Sequence, residues 1–193
     1  MNLFVDTHMN DINILLYKDG KIIKEKKIFN EKENSKIIMP TIKKVLGKNK
    51  PDSIIVVNGP GSFTGVRLGV TISKTLAYTL NIPIRAITSL ECMAVCSESL
   101  EKIVALSDKN GYYIGIFGYD NELIGNYEYL SINQFNEYRN KYEVITNVEL
   151  DYRKIIEYTL TKEPHNPHNL NPTYIKKLDV EKWLEKHKLM ILI

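Results

Sequence analysis

Long apolar runs are missing from this sequence. The best candidate, residues 54–80, is interrupted by Arg67 and Lys74, whereas a membrane-spanning helix needs about 20 apolar residues. No membrane association is expected. Cysteine is scarce as well, with only Cys92 and Cys96 in 193 residues. With no secretory signal pattern, that scarcity argues against a disulfide scaffold and points to a reducing cytoplasm. The two thiols lie one helical turn apart beside Met93 and Val95, a setting for buried packing rather than redox or metal chemistry. Excess charge is also absent. Lys and Arg number 26 against 23 Asp and Glu, a net charge of +3, which by itself is not the concentrated basic face of a nucleic-acid binder. What remains is ordinary for a globular chain. Hydrophobic residues make up 44%, and the length suffices for one large domain or two small lobes with a real core.

The chain is organised around residues 54–80, IIVVNGPGSFTGVRLGVTISKTLAYTL. Ile54 to Val57 is β-branched and reads as a strand buried on both faces. Asn58-Gly59-Pro60-Gly61 breaks it. Ser62 and Thr64 carry hydroxyls suited to capping a helix, and from Gly65 the pattern is helical to about Asn81, with Pro83 beyond. Within that helix Gly65, Gly69, Ser73 and Ala77 form a ridge nearly free of side chain. Leu68, Ile72, Leu76 and Leu80 form a bulky row of the kind a core-facing helix needs. Each internal Gly costs roughly 1 kcal/mol against Ala, so the ridge must gain by close packing, either against a partner helix or, as the pattern alone favours, within the chain.

A Gly-rich turn before a helix also raises the question of a phosphate cradle. The Walker pattern fails because Gly65 precedes Val66-Arg67 and no Gly-Lys-Ser/Thr follows. The dinucleotide pattern has Thr64 in place of its third Gly, and Ser62 lacks the frame of a nucleophile elbow.

Strands are expected at Leu3 to Asp6, Asn13 to Tyr17 and Lys21 to Ile28, with Lys18-Asp19-Gly20 as a hairpin turn and the charged Lys18 to Lys27 segment solvated. A helix follows from Ser35 to Leu46, its apolar stripe Ile38, Ile42, Val45 and Leu46, with Pro40 expected to bend or interrupt its first turns. After the central unit come a strand at Ile84 to Ile87 and a helix from Ser89 to about Ser97. The second half repeats the opening with strands at Ile103 to Ser107, Tyr112 to Tyr119 and Glu122 to Leu130. Helices are expected near Asn133 to Tyr138, Asp151 to Leu160 and, after a Pro/Asn/His loop, Val180 to His187. Each half thus starts with three strands, the first ending in an aspartate, Asp6 or Asp108. This duplicated α/β plan resembles the two-lobed actin-like fold of sugar kinases and heat-shock-70 proteins, with lobes at residues 1–98 and 99–193 and the second lobe short.

NGPGSFTGVRLGV, then IPI and TSLECMA, resembles the signature of the TsaB family. Phe4 to Thr7 matches the family's opening Ile-Asp-Thr, ENSKIIMPTIKKVL matches its first helix including Pro40, and Pro172 to Lys176 fits its Pro-x-Tyr-Leu-Arg. The chain departs from the family at Asn34-Ser35, where His-Ser is usual, and at Tyr112, where Glu is usual. The resemblance implies a non-catalytic partner of TsaD in making threonylcarbamoyladenosine at position 37 of tRNA, with TsaE as a further subunit. tRNA would be met through the complex, and the chain alone could form a homodimer. ATP, metal and threonylcarbamoyl-adenylate would be handled by the partners, and no cofactor of its own is expected. The partner-binding residues implied are Ile38, Ile42, Gly65, Val66, Gly69, Val70, Ser73 and Ala77, on helices that join a shared bundle.

Two other readings compete with this one. An independent actin-like ATPase or kinase would use Asp6, Thr7 and Asp108 around phosphates and Mg²⁺, but Gly-Thr-rich phosphate hairpins are absent, and both aspartates fit simple turn positions. A peptidase has no Ser-His-Asp or Cys-His arrangement to stand on. Metal binding is not expected: the first helix lacks histidine, and His165 and His168 sit in a loop without Cys or carboxylate company.

Overall fold

The computed structural model describes residues 1–29 and 34–176; the helix expected at Val180 to His187 lies outside them. The first half forms a five-stranded sheet in the order β3-β2-β1-β4-β5, from β1 (Asn2–Asp6), β2 (Ile12–Lys18), β3 (Lys21–Ile28), β4 (Ser53–Val57) and β5 (Ile84–Ile87). β1 pairs antiparallel with β2 and parallel with β4. Strand alternation divides its side chains between two cores. Leu3 and Val5 of β1, with Ile54 and Val56 of β4, face one side. There they meet α1 (Asn34–Leu46) and α2 (Phe63–Leu80). Phe4, Ile55 and Val57 face the other. That side is covered by α3 (Ser89–Cys96) and the much later α5 (Tyr152–Leu160).

α3 joins the halves. Cys92 packs toward the first sheet, whereas Leu90, Met93 and Ala94 pack with Val104, Leu106 and Phe117 of the second. Its start is closed by a capping box of Thr88 and Glu91, and its end by the buried Lys102, whose Nζ donates to the Ala94 carbonyl at 2.8 Å. Burial lowers the pKa of that ammonium. The second sheet is antiparallel and has three strands, β6 (Lys102–Asp108), β7 (Gly111–Phe117) and β8 (Glu128–Ser131). α4 (Ile132–Arg139) buries Phe135 against it. The long third strand expected from Glu122 is shortened: Asn121 and Gly125 have positive φ, so the chain turns twice before β8. A parallel neighbour to β6 survives as a single bridge, Val104 to Ile145. The architecture is the duplicated α/β actin-like plan with a short second lobe.

Two expectations about the helices change. α1 runs on through Pro40 without interruption. In α2 it is the small residues that face the sheet: Gly65, Val66, Gly69, Val70, Ser73 and Ala77 are buried, whereas Leu68, Ile72 and Leu76 are half-buried and Leu80 is exposed. The cause is the closeness of β1. A Cβ at Gly65 would lie 2.1 Å from the Thr7 carbonyl oxygen, and one at Gly69 would lie 2.2 Å from Thr7 Oγ1. The Thr7 hydroxyl donates to the Gly65 carbonyl at 2.7 Å.

Helix propensity alone favours alanine over an internal glycine by about 1 kcal/mol. Here the sign should reverse: Gly65→Ala should destabilise the chain by about 1–3 kcal/mol through overpacking, and Gly69→Leu by more, read as a lower urea midpoint at unchanged slope. A Gly65→Ala protein as stable as the parent would refute this packing.

Candidate functional site

A cleft of about 730 Å³ opens where the ends of β1 and β6 meet the turn before α2 and the segment 172–176. Its walls are built by backbone as much as by side chains. The Ser62 N–H donates to the His8 carbonyl at 2.6 Å, a contact so close that a Cβ at Gly61 would sit 2.2 Å from that oxygen. The rest of the turn is held from two further directions. Ser89 Oγ donates to the Pro60 carbonyl at 2.6 Å, and the Thr173 N–H donates to the Asn58 carbonyl at 2.8 Å. Ser62 caps α2, its Oγ accepting from the Gly65 N–H.

Asp6 and Asp108 end β1 and β6 beside this cleft, and each is already engaged. Asp6 is buried and accepts from the His8 N–H at 3.1 Å, from His8 Nδ1 at 2.5 Å and from the Tyr152 hydroxyl at 3.3 Å. Burial, and after it the negative charge of Asp6, pushes the Tyr152 phenol far above its ordinary range. Asp108 accepts from Lys176 Nζ and from the Tyr129 hydroxyl, both at 3.1 Å, and the Lys176 ammonium also lies 4.6 Å above the Tyr129 ring. Burial raises the Asp108 carboxyl, but hydrogen bonds from Lys176, the Lys109 N–H and Tyr129 outweigh it and hold the pKa below the ordinary 3.8. At the mouth, Arg67 stacks 3.6 Å over Phe63 and its Nε donates to the Tyr174 hydroxyl at 2.8 Å.

The other candidates disperse. Among the described residues no group of three His, Cys, Asp or Glu could hold a metal ion. His165 pairs by its backbone with Ile84, and His168 packs edge-on against Tyr78. Cys92 is buried, and burial raises both thiols. No described helix is long and apolar enough to cross a membrane. Of the residues implied as partner-binding, Ile38, Ile42, Gly65, Val66, Gly69, Val70, Ser73 and Ala77, all eight are buried within the chain's own first core or against its sheet. Sequence reasoning missed Tyr129, Tyr152 and the pairing of His8 with Asp6. The Asp-Thr-His spacing could have signalled the last, since a strand-end carboxylate readily caps the residue two ahead.

A family profile described as TsaD, tRNA N6-adenosine threonylcarbamoyltransferase, matches residues 28–108. The tRNA threonylcarbamoyladenosine biosynthesis protein TsaB of Bacillus subtilis is 33% identical over 130 residues, which is 63% of this chain and 57% of that protein. The Haemophilus influenzae protein of the same name is 34% identical over 55% of this chain and 48% of its own. The chain thus spans about half the length of these relatives. An uncharacterized protein of Mycoplasma pneumoniae is 28% identical over 90% of this chain and 94% of its own length. Among solved structures, YeaZ from Pseudomonas aeruginosa superposes with a TM-score of 0.72 at 18% identity, over 90% of this chain and 98% of that one. Another P. aeruginosa structure, of an uncharacterized protein described as similar to peptidase YeaZ, gives 0.74 at 16% identity, over 91% and 99%. These two likenesses establish the fold.

Replacing Lys176 with Met should leave burial of Asp108 less opposed, so its carboxyl pKa should rise, as read by carbon NMR titration. The sign for stability follows. A carboxyl depressed in the folded chain adds stability that is present above pH 3.8 and is lost as pH falls through the folded value. The parent should therefore lose more stability than Lys176→Met below pH 3.8; equal acid sensitivity would show that the pair contributes nothing.

Proposed function

We propose, as its matches to proteins named TsaB support, that the chain belongs to the TsaB family and is a non-catalytic scaffold subunit in making threonylcarbamoyladenosine at position 37 of tRNA. It binds and activates TsaD, with TsaE as a further subunit, and meets tRNA through that complex. The partners handle ATP, metal and threonylcarbamoyl-adenylate. The observation that carries the reading is the 33% identity over 130 residues to a protein named for this pathway. The non-catalytic part is supported by the cleft. A phosphate-handling aspartate must be free to hold water or Mg²⁺, whereas Asp6 is taken up by His8 and Tyr152 and Asp108 by Lys176 and Tyr129. The division at residues 98 and 99, and homodimerisation of the isolated chain, belong to the same proposal.

The partner surface is the outward side of α1 and α2. The small buried residues serve it from beneath, by setting how deep α2 lies. Above them α2 offers exposed Thr71 and Thr75 beside half-buried Leu68, Ile72 and Leu76, a low surface that another helix can approach.

The test combines this chain with TsaD and unmodified tRNA and follows both threonylcarbamoyl transfer and ATP turnover. Transfer should rise on adding the chain, and the chain alone should hydrolyse no ATP above background. Steady turnover by the chain alone, abolished by Asp6→Asn, would replace the scaffold with an ATPase. Thr71→Arg with Thr75→Arg should weaken TsaD binding at least about tenfold, ~1.4 kcal/mol, at unchanged melting temperature; unaltered affinity would move the interface elsewhere.

A further inference from the structure

The small net charge conceals an uneven distribution. Residues 21–50 contain ten lysines against three glutamates, so with +3 for the whole chain the remainder is net acidic. The fold gathers eight of these lysines along one edge. β3 is the outermost strand of its sheet, and Lys21, Lys24, Lys26 and Lys27 on it are exposed. α1 packs beside β2 and β3 and ends in exposed Lys43 and Lys44, with Lys48 and Lys50 following. Lys24 Nζ donates to the Lys44 carbonyl at 2.5 Å, which brings strand and helix end together. Lys27 pairs with Asp11 at 3.6 Å and leans over Phe29. Among the described residues, Lys21, Lys24, Lys26, Lys43, Lys44 and Lys48 enter no ion pair.

Local roles explain part of this. Lysines on an edge strand discourage strand-to-strand association, and Lys43 and Lys44 complement the C-terminal end of the α1 dipole. Neither role reaches Lys48 and Lys50, and neither requires both sets to share one side.

We infer that this face holds the sugar-phosphate backbone of RNA. The identity of that RNA as tRNA rests on the function proposed above, to which this adds a direct contact by the chain itself; the surface does not rest on it. Lysine binds phosphate as a compact point charge and is depleted from protein–protein interfaces, whose cores favour aromatic residues and arginine. The stretch has no arginine and one aromatic residue, Phe29, so the β3 edge and the last turn of α1, with Lys43 and Lys44, fit phosphates better than a protein, while the apolar row of α2 fits a protein. With Phe29, under Lys27, as the one exposed aromatic ring described in this stretch, there is little platform for base stacking, and the contact is nearly indifferent to sequence. Membrane adsorption would call for an apolar face to insert, and on β3 only Ile23 is both apolar and exposed.

The test titrates the full chain against a fluorescent unmodified tRNA transcript between 50 and 200 mM salt. Replacing Lys24, Lys26, Lys44 and Lys48 together with Gln should weaken binding at least about tenfold at the lower salt. It should also flatten the salt dependence, by up to about 0.9 in log–log slope for each phosphate no longer neutralised. Lys141→Gln with Lys154→Gln, exposed lysines of the second half, should bind as the parent does. If the fourfold variant melts early, Lys26→Gln with Lys48→Gln replaces it, since neither side chain makes a hydrogen bond among the described residues. Unchanged tRNA affinity and slope would overturn the inference. So would tighter retention of the parent by phosphatidylserine vesicles than by tRNA, or loss of TsaD binding with tRNA binding intact. A chain that binds tRNA through these lysines yet fails to raise threonylcarbamoyl transfer would remove the proposed function and leave the surface; the converse result would remove the surface alone.

Discussion

The first half of the molecule depends on how closely α2 lies against the end of β1. The Thr7 hydroxyl donates into the carbonyl of Gly65, and the two glycines of the helix leave room for Thr7. That seat fixes the direction in which α2 starts, and so the position of the turn before it. Ser62, Pro60 and Asn58 are then within hydrogen-bonding reach of His8, Ser89 and Thr173, which come from three separate parts of the chain. One packing distance thus organises a strand end, a helix start and a loop.

That arrangement was partly legible in advance. The β-branched run, the Gly-Pro-Gly break, the Ser62 cap and the helix end near Asn81 follow from local chemistry, and the structure has each of them. The facing of α2 was not legible. Two rows, one small and one bulky, both satisfy helical periodicity, and which row meets the sheet depends on how much space the sheet's own side chains fill. Thr7 already occupies that space, so the helix comes in on its glycines. The second half was harder to read because its third strand is interrupted at Gly125 and the parallel neighbour of β6 is reduced to Ile145. A single bridge leaves no periodic trace in a sequence.

The candidate site shows the same division. Asp6 and Asp108 could be picked out as strand-end carboxylates, yet their partners come from far along the chain. Tyr152 lies 146 residues from Asp6, and Lys176 lies 68 from Asp108. Only the fold brings these together, and it brings groups that saturate a carboxylate rather than leave it open. Lys176 does for Asp108 what a metal ion would otherwise do, supplying positive charge at hydrogen-bonding distance.

The segment from Pro172 to Lys176 touches both walls of the cleft, through Thr173 to Asn58 on one side and Lys176 to Asp108 on the other. Mechanically it is a cross-brace. Two lobes hinged about a cleft ordinarily retain one soft degree of freedom, the opening and closing that two-lobed enzymes use to admit and release a substrate. A brace bonded at both ends opposes it, because widening the gap must break a backbone hydrogen bond and an ion pair together. The molecule keeps the outline of a hinge with its swing restrained.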